Sequence, residues 1–343
     1  MEYKDSEMTN QEEGYTLHNE EKVENNFEEL KIDESVADMS TKASLLSTDY
    51  LSEASEELSS MGYQVVKREK DNQHEFVKTK DNSGFTFTNQ KAYDDLGDSL
   101  CNWIQAYMMD KHKLKKVRIP LQEETTEGAG RAPIFVSSDW QTNEKGALVL
   151  IQGTGDVRPG YWARSVCMND TLELGSMIPD IEWAQNNNYS VLVMNPNYTK
   201  DEDGNFVDKK VRGMGRHASY AWEKFVENGV CPAKQLYVIA HSAGGACIHE
   251  IIVNNQDTMI NKVKGIALTD ACHGNFYSEL SKDGKKWAKK SCKAYDASSK
   301  KLDTPLSNGY SKSPFPTVSA GHVKHVYTTG CARPSYLKSF SQP

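Results

Sequence analysis

The chain lacks the cysteine spacings that build small metal or redox centres. Its seven cysteines, Cys101, Cys167, Cys231, Cys247, Cys272, Cys292 and Cys331, are odd in number and include no C-x-x-C pair. A zinc ribbon and a dithiol redox site are therefore excluded, and reduced thiols in nucleus and/or cytoplasm are the expectation. Long apolar runs are also missing. No stretch approaches the ~18 apolar residues of a membrane span, and no membrane partner is expected. The opening MEYKDSEMTNQEEG has neither the basic nor the apolar region of a secretory signal. Hydrophobic residues make up only 38% of the chain, and mean hydropathy is -0.67. Basic residues are scarce at the start: residues 1–58 hold 17 Asp and Glu against 4 Lys and Arg. The remainder is mildly basic, with 36 Lys and Arg against 31 acids.

That asymmetry predicts the domain organisation. Residues 1–58, rich in Glu, Asn, Ser and Asp, form an acidic tail with too little apolar surface to offset the entropy of ordering; a short helix or a docking peptide built on Leu45, Leu46, Leu51 and Leu58 is the alternative. Residues 59–343 form a single domain. In its first part, 59–120, the short stretches Tyr63–Lys67, Phe76–Lys78 and Phe85–Thr88 read as a β-meander between Asp/Asn/Gly turns. Tyr93, Leu96, Leu100, Trp103, Ile104 and Tyr107 then recur at helical spacing. Lys115–Ile119 and Ile134–Val136 are candidate edge strands. In the core, 121–343, the apolar run Ala147–Ile151 suits a strand buried on both faces. Strands at Ser190–Met194, Leu236–Ala240, Ile266–Leu268 and Thr317–Ser319 alternate with helices at 178–187, 217–227 and 244–253. Such alternation predicts an α/β fold: a mostly parallel twisted sheet with helices on both faces, preceded by the small meander and helix.

The chemistry concentrates where the strand Leu236–Ala240 runs through His241-Ser242-Ala243 into Gly244-Gly245. An apolar strand, a Ser at the apex of a tight turn and glycines opening a helix are the setting of the G-x-S-x-G nucleophile elbow, with Ala240 in place of the first Gly. The turn would expose the Ser242 hydroxyl beside free helix N-terminal N–H groups, including that of Ala243, which favour a developing oxyanion. An elbow calls for an acid and then a His, each after a later strand. Asp270 ends the strand Ile266–Leu268, and His322 and His325 follow Thr317–Ser319. The acid would fix the imidazole tautomer and the His would take the Ser proton. A strand-end cap is the alternative role for Asp270, and His273 is a rival imidazole. His322 and His325 lack a nearby third ligand, so no metal is expected. Gly153, Thr154 and Gly155, after the first buried strand, suit a loop whose N–H groups complete an oxyanion hole. The spacing matches neither a P-loop nor a dinucleotide fingerprint, and no cofactor is expected.

Six segments in order resemble the Arb-type domain of fungal Argonaute-binding proteins and animal cotranscriptional regulators. They are LVLIQGTGDVRPGYW (148–162), residues 177–197, HASYAW (217–222), VIAHSAGG (238–245), ALTDACH (267–273) and VSAGHVKH (318–325). The resemblance implies an α/β-hydrolase-like fold, a nucleophile at Ser242, and Asp270 and His325 as the matching acid and His. It further implies association with Argonaute proteins and chromatin or splicing factors in small-RNA or alternative-splicing work. Gln152 stands where the animal pattern has His, and Ala243 where it has Tyr. Two readings follow: a regulatory factor on a hydrolase scaffold, and an active serine hydrolase of esterase or amidase type. Direct sequence-specific nucleic-acid binding is not expected, because no zinc finger, RNA-recognition motif or concentrated basic helix is present.

Overall fold

The structure is a computed structural model describing residues 49–227, 229–307 and 314–341. A helix at Tyr50–Ser60 opens it, with the Asp49 carboxylate accepting the Ser52 N–H at 3.0 Å as an N-cap. This helix crosses position 58, where the acidic segment was expected to end, because Leu58 is fully buried against the helix Gln90–Asp110. Residues 1–48 of the expected tail lie outside the described residues. Between the two helices, β1 (Tyr63–Lys67) and β2 (His74–Lys78) pair antiparallel. The third expected stretch, Phe85–Thr88, forms no strand.

The main sheet follows: β3 (Leu114–Ile119), β4 (Ala132–Ser137), β5 (Ala147–Ile151), β6 (Ser190–Val193), β7 (Leu236–His241), β8 (Val263–Thr269), β9 (Cys292–Asp296) and β10 (Thr317–Ser319). Its order is β10-β9-β8-β7-β5-β6-β4-β3. Only the β3–β4 and β4–β6 pairs are antiparallel. This is an α/β-hydrolase-like arrangement. β4 was expected at an edge, but it sits between β3 and β6 with every residue buried. β9 was not foreseen at all.

Strand alternation divides the core. Along β5, Ala147, Val149 and Ile151 face one apolar cluster, while Leu148 and Leu150 face the other. The first cluster takes in Trp222 of the helix Met214–Phe225 and Ile248 and Ile251 of the helix Gly244–Asn254. The second takes in Ile181 of the helix Ile178–Asn186 and Tyr336 of the C-terminal helix Thr328–Phe340. The crossover from β5 leads to β6 on one side and the next, from β6, leads back past β5 to β7 on the other, so the strand order reverses between β5 and β7. A crevice at the carboxyl ends of the strands is expected at such a reversal.

One buried ion pair fastens the C-terminal helix to the rest. Asp180 is completely buried. It accepts from Arg333 Nε at 3.0 Å and Nη2 at 3.1 Å, from Tyr336 Oη at 2.8 Å and from Trp162 Nε1 at 2.8 Å. Arg333 also donates to the carbonyls of Glu173 and Ser176. Every lone pair facing inward is used, which is the condition for such a pair to be tolerated. Asp180→Asn, which leaves the guanidinium buried without its counter-charge, is expected to cost about 3–5 kcal/mol in urea unfolding. A loss under about 1 kcal/mol would mean that Arg333 finds water instead.

Candidate active site

Ser242 follows the last residue of β7 and adopts φ +54°, a left-handed backbone that L-residues with a side chain rarely take. Its neighbours make the turn possible by being small. A Cβ on Gly244 would lie 2.5 Å from the Ile151 carbonyl oxygen, and one on Gly153 would lie 2.8 Å from the Ser242 Cβ. The turn is closed by Ser242 N–H donating to the Thr269 carbonyl at 3.2 Å and by the Ser242 carbonyl accepting from Cys272 N–H at 2.8 Å. A tight turn from strand to helix with Ser242 at its apex is thus formed, at the carboxyl end of β7 and against the loop leaving β5.

Asp270 follows the last residue of β8 with a second left-handed backbone, φ +45°. Its N–H donates to the Tyr295 carbonyl at 2.8 Å. One carboxylate oxygen accepts the Ala297 N–H at 3.3 Å and the other meets His325 Nδ1 at 2.6 Å. Burial alone would raise the Asp270 pKa. The hydrogen bond from His325 and the Ala297 amide outweigh it, and the carboxyl is held below its ordinary value. Nδ1 of His325 is therefore the donor, and Nε2 makes no hydrogen bond among the described residues. His325 sits on a short 3-10 turn, His325–Tyr327, just before the C-terminal helix, and about half of its side chain is exposed. Its ring stacks on that of His241, centroids 4.6 Å apart. Among the described residues, Ser242 Oγ makes no hydrogen bond, to His325 or to anything else.

The rival imidazoles are engaged elsewhere. His322 accepts the Lys324 N–H at 3.1 Å and packs on Tyr327, and His273 Nδ1 bonds the Gly274 carbonyl at 3.0 Å. Gly153 is buried beneath the elbow, with Thr154 and Gly155 at the surface beside it. The backbone N–H groups of Thr154 and Ala243 donate to no group among the described residues, as an oxyanion-binding pair requires. The loop is pinned by Asn197, whose side-chain amide donates to the carbonyls of Gly155 and Val157. Beneath it, buried Gln152 donates to Asn195 Oδ1 at 3.1 Å, and Asn195 N–H donates to His217 Nε2 at 2.9 Å. Burial pushes His217 down to about 3, so it stays neutral. Sequence reasoning missed His241, Asn195, Asn197 and His217. The Asn-Pro-Asn run that begins one residue beyond β6, after Met194, was the available signal for the two asparagines.

Asp270→Asn keeps the shape and tolerates the left-handed backbone. It is expected to cost about 1–3 kcal/mol at pH 7, the worth of a charge-assisted bond. Because the folded-state pKa is lowered, the aspartate's contribution is complete above its unfolded value, about 3.9, and is lost as pH falls through the folded value. Urea midpoints of the two proteins should therefore differ at pH 7 and converge below about pH 4. A constant gap across this range would show that the carboxylate charge is not what stabilises.

Comparison with known proteins places this chain in a family. A family profile for the Arb2 domain matches residues 54–302, which include Ser242 and Asp270 but stop short of His325. The chain is 30% identical over 304 residues to a cotranscriptional regulator ARB2A homolog of Gallus gallus, covering 74% of this chain and 72% of that one. It is 30% identical to a Dictyostelium discoideum protein of the same description, covering 73% of this chain and 71% of that one. Among solved structures, the histone deacetylase Clr3 aligns with a TM-score of 0.46 at 13% identity, covering 76% of this chain and 41% of that chain. By the extent of the family match, this chain belongs to the Arb2 domain family.

Proposed function

We propose that this chain is a cotranscriptional regulatory factor working in the nucleus with Argonaute proteins and with chromatin or splicing factors. We further propose that its hydrolase-like domain carries a serine-hydrolase site acting on an ester or amide. Relatives described as cotranscriptional regulators support the regulatory role, and the named partners follow from the family resemblance of the six sequence segments. The observation that carries the second is the 2.6 Å bond between His325 Nδ1 and Asp270 beside a left-handed Ser242.

In this reading Asp270 keeps the proton on Nδ1 and the lone pair on Nε2. Nε2 accepts the Ser242 proton as Oγ adds to the acyl carbonyl. The developing oxyanion is met by the N–H groups of Thr154 and Ala243. The imidazolium returns the proton to the departing alcohol or amine, leaving an acyl-serine. Water then adds by the same path and releases the acid, and Oγ regains its proton. The absence of a Ser242–His325 hydrogen bond favours one second reading, a binding scaffold that uses the fold without its chemistry.

A fluorophosphonate probe separates the two. Labelling of the wild type is expected, abolished in Ser242→Ala and slowed on the order of 10³-fold or more in His325→Ala. A folded wild-type protein that takes no label would favour the scaffold. A pull-down from nuclear extract should recover an Argonaute protein with wild type and Ser242→Ala alike. Recovery of neither an Argonaute nor a splicing protein would count against the regulatory part.

A further inference from the structure

We infer that His241, the residue immediately before Ser242, is a positioning residue for His325: an aromatic plate that fixes the plane of its ring. This deepens the serine-hydrolase reading and rests on it.

The argument begins with what one hydrogen bond can do. The Nδ1 contact with Asp270 fixes one atom of the His325 ring, but leaves the ring free to turn about the bond axis. Half of the side chain faces solvent, so general packing does not supply the missing constraint. The His241 ring does. It lies 4.6 Å from the His325 ring, centroid to centroid, with 29° between the planes. A point contact and a face contact together determine where Nε2 is aimed.

His241 is itself held firmly. It is almost fully buried, and its Nδ1 bonds the Thr269 carbonyl at 2.9 Å, so Nδ1 is the protonated nitrogen. The edge of the ring meets Trp162 at 6.4 Å. The Thr269 hydroxyl links this corner to Thr329 of the C-terminal helix at 2.7 Å, the helix that also delivers His325. Burial, and then the nearness of His325, push His241 down to about 4. An uncharged plate does not repel the imidazolium that His325 becomes during proton transfer. An ionised one would.

The test has an arm that needs no turnover. A strong Nδ1–H···carboxylate bond gives a far-downfield proton resonance, which reports whether His325 is held on Asp270. His241→Phe keeps the plate and loses only the bond to Thr269, whose carbonyl retains the Ser242 N–H. His241→Leu fills the space without a ring, and His241→Ala empties it. The expected result is a resonance kept in His241→Phe and broadened away in His241→Leu and His241→Ala. Fluorophosphonate labelling should fall on the order of 100-fold in the last two and stay within about threefold of wild type in His241→Phe.

Resonance and labelling unchanged in a folded His241→Leu or His241→Ala would overturn the inference. So would their loss in His241→Phe, which would assign the effect to the Thr269 bond instead. A wild type that takes no label would defeat the hydrolase reading alone, because the resonance still decides whether His241 positions His325.

Discussion

The close approach of the helix Gly244–Asn254 to the end of β5 is the constraint from which the rest of the site follows. The helix can start there only because Gly244 lets its backbone sit against the Ile151 carbonyl. To enter it from β7 the chain must reverse within one residue, and that residue is Ser242, in a conformation costing about 1–2 kcal/mol for a residue with a Cβ. Burial of both faces of β5 and β7 holds the strain in place. Asp270 adopts the same left-handed region at the end of the adjoining strand, where Asp is better tolerated than most residues with a side chain. Two side-chain-bearing left-handed residues thus stand on neighbouring strand ends, the kind of backbone that marks a candidate functional site.

Much of this was legible in the sequence for a physical reason. A strand buried on both faces has to be written in apolar residues, and Ala147–Ile151 and Leu236–Ala240 are. A tight elbow has to be flanked by small residues, and Gly153, Gly244 and Gly245 are. Where those demands lapse, the reading fails. β9 was missed because Cys292-Lys293-Ala294-Tyr295-Asp296 mixes lysine and aspartate into a strand whose burial is supplied by its neighbours β8 and β10. The helix Tyr50–Ser60, open as an alternative through Leu51 and Leu58, was ranked below a solvated tail because its surface is acidic; Ala54 and Leu58 alone carry its buried face. The order Ser, acid, His was readable, but the choice of His325 over His322 rested on resemblance, and only the Asp270 contact separates the two in space.

His241 shows a further limit. In sequence it is one more residue at the end of an apolar strand. Its importance comes from a partner 84 positions away in the chain, brought into contact by the C-terminal helix. Sequence pattern reports local period and local sterics. It carries no trace of a face-to-face contact between two rings from different elements.

The parts of the site differ in what holds them, and this accounts for the one hydrogen bond that is not made. Ser242 and Asp270 stand on strand ends and are fixed by the sheet. His325 stands on a half-exposed turn, and its position descends from the C-terminal helix, which is itself anchored at Arg333 by buried Asp180. The anchor fixes the helix axis, Asp270 fixes Nδ1 and His241 the ring plane, leaving the separation between Nε2 and the Ser242 hydroxyl as the least constrained distance. Hydrogen bonds of this kind are often long before substrate is seated and tighten as the reacting groups are drawn together. In the proposed serine-hydrolase reading, a site so built is rigid where charge would be received and yielding where a proton would move, the division expected if substrate binding itself completes the contact.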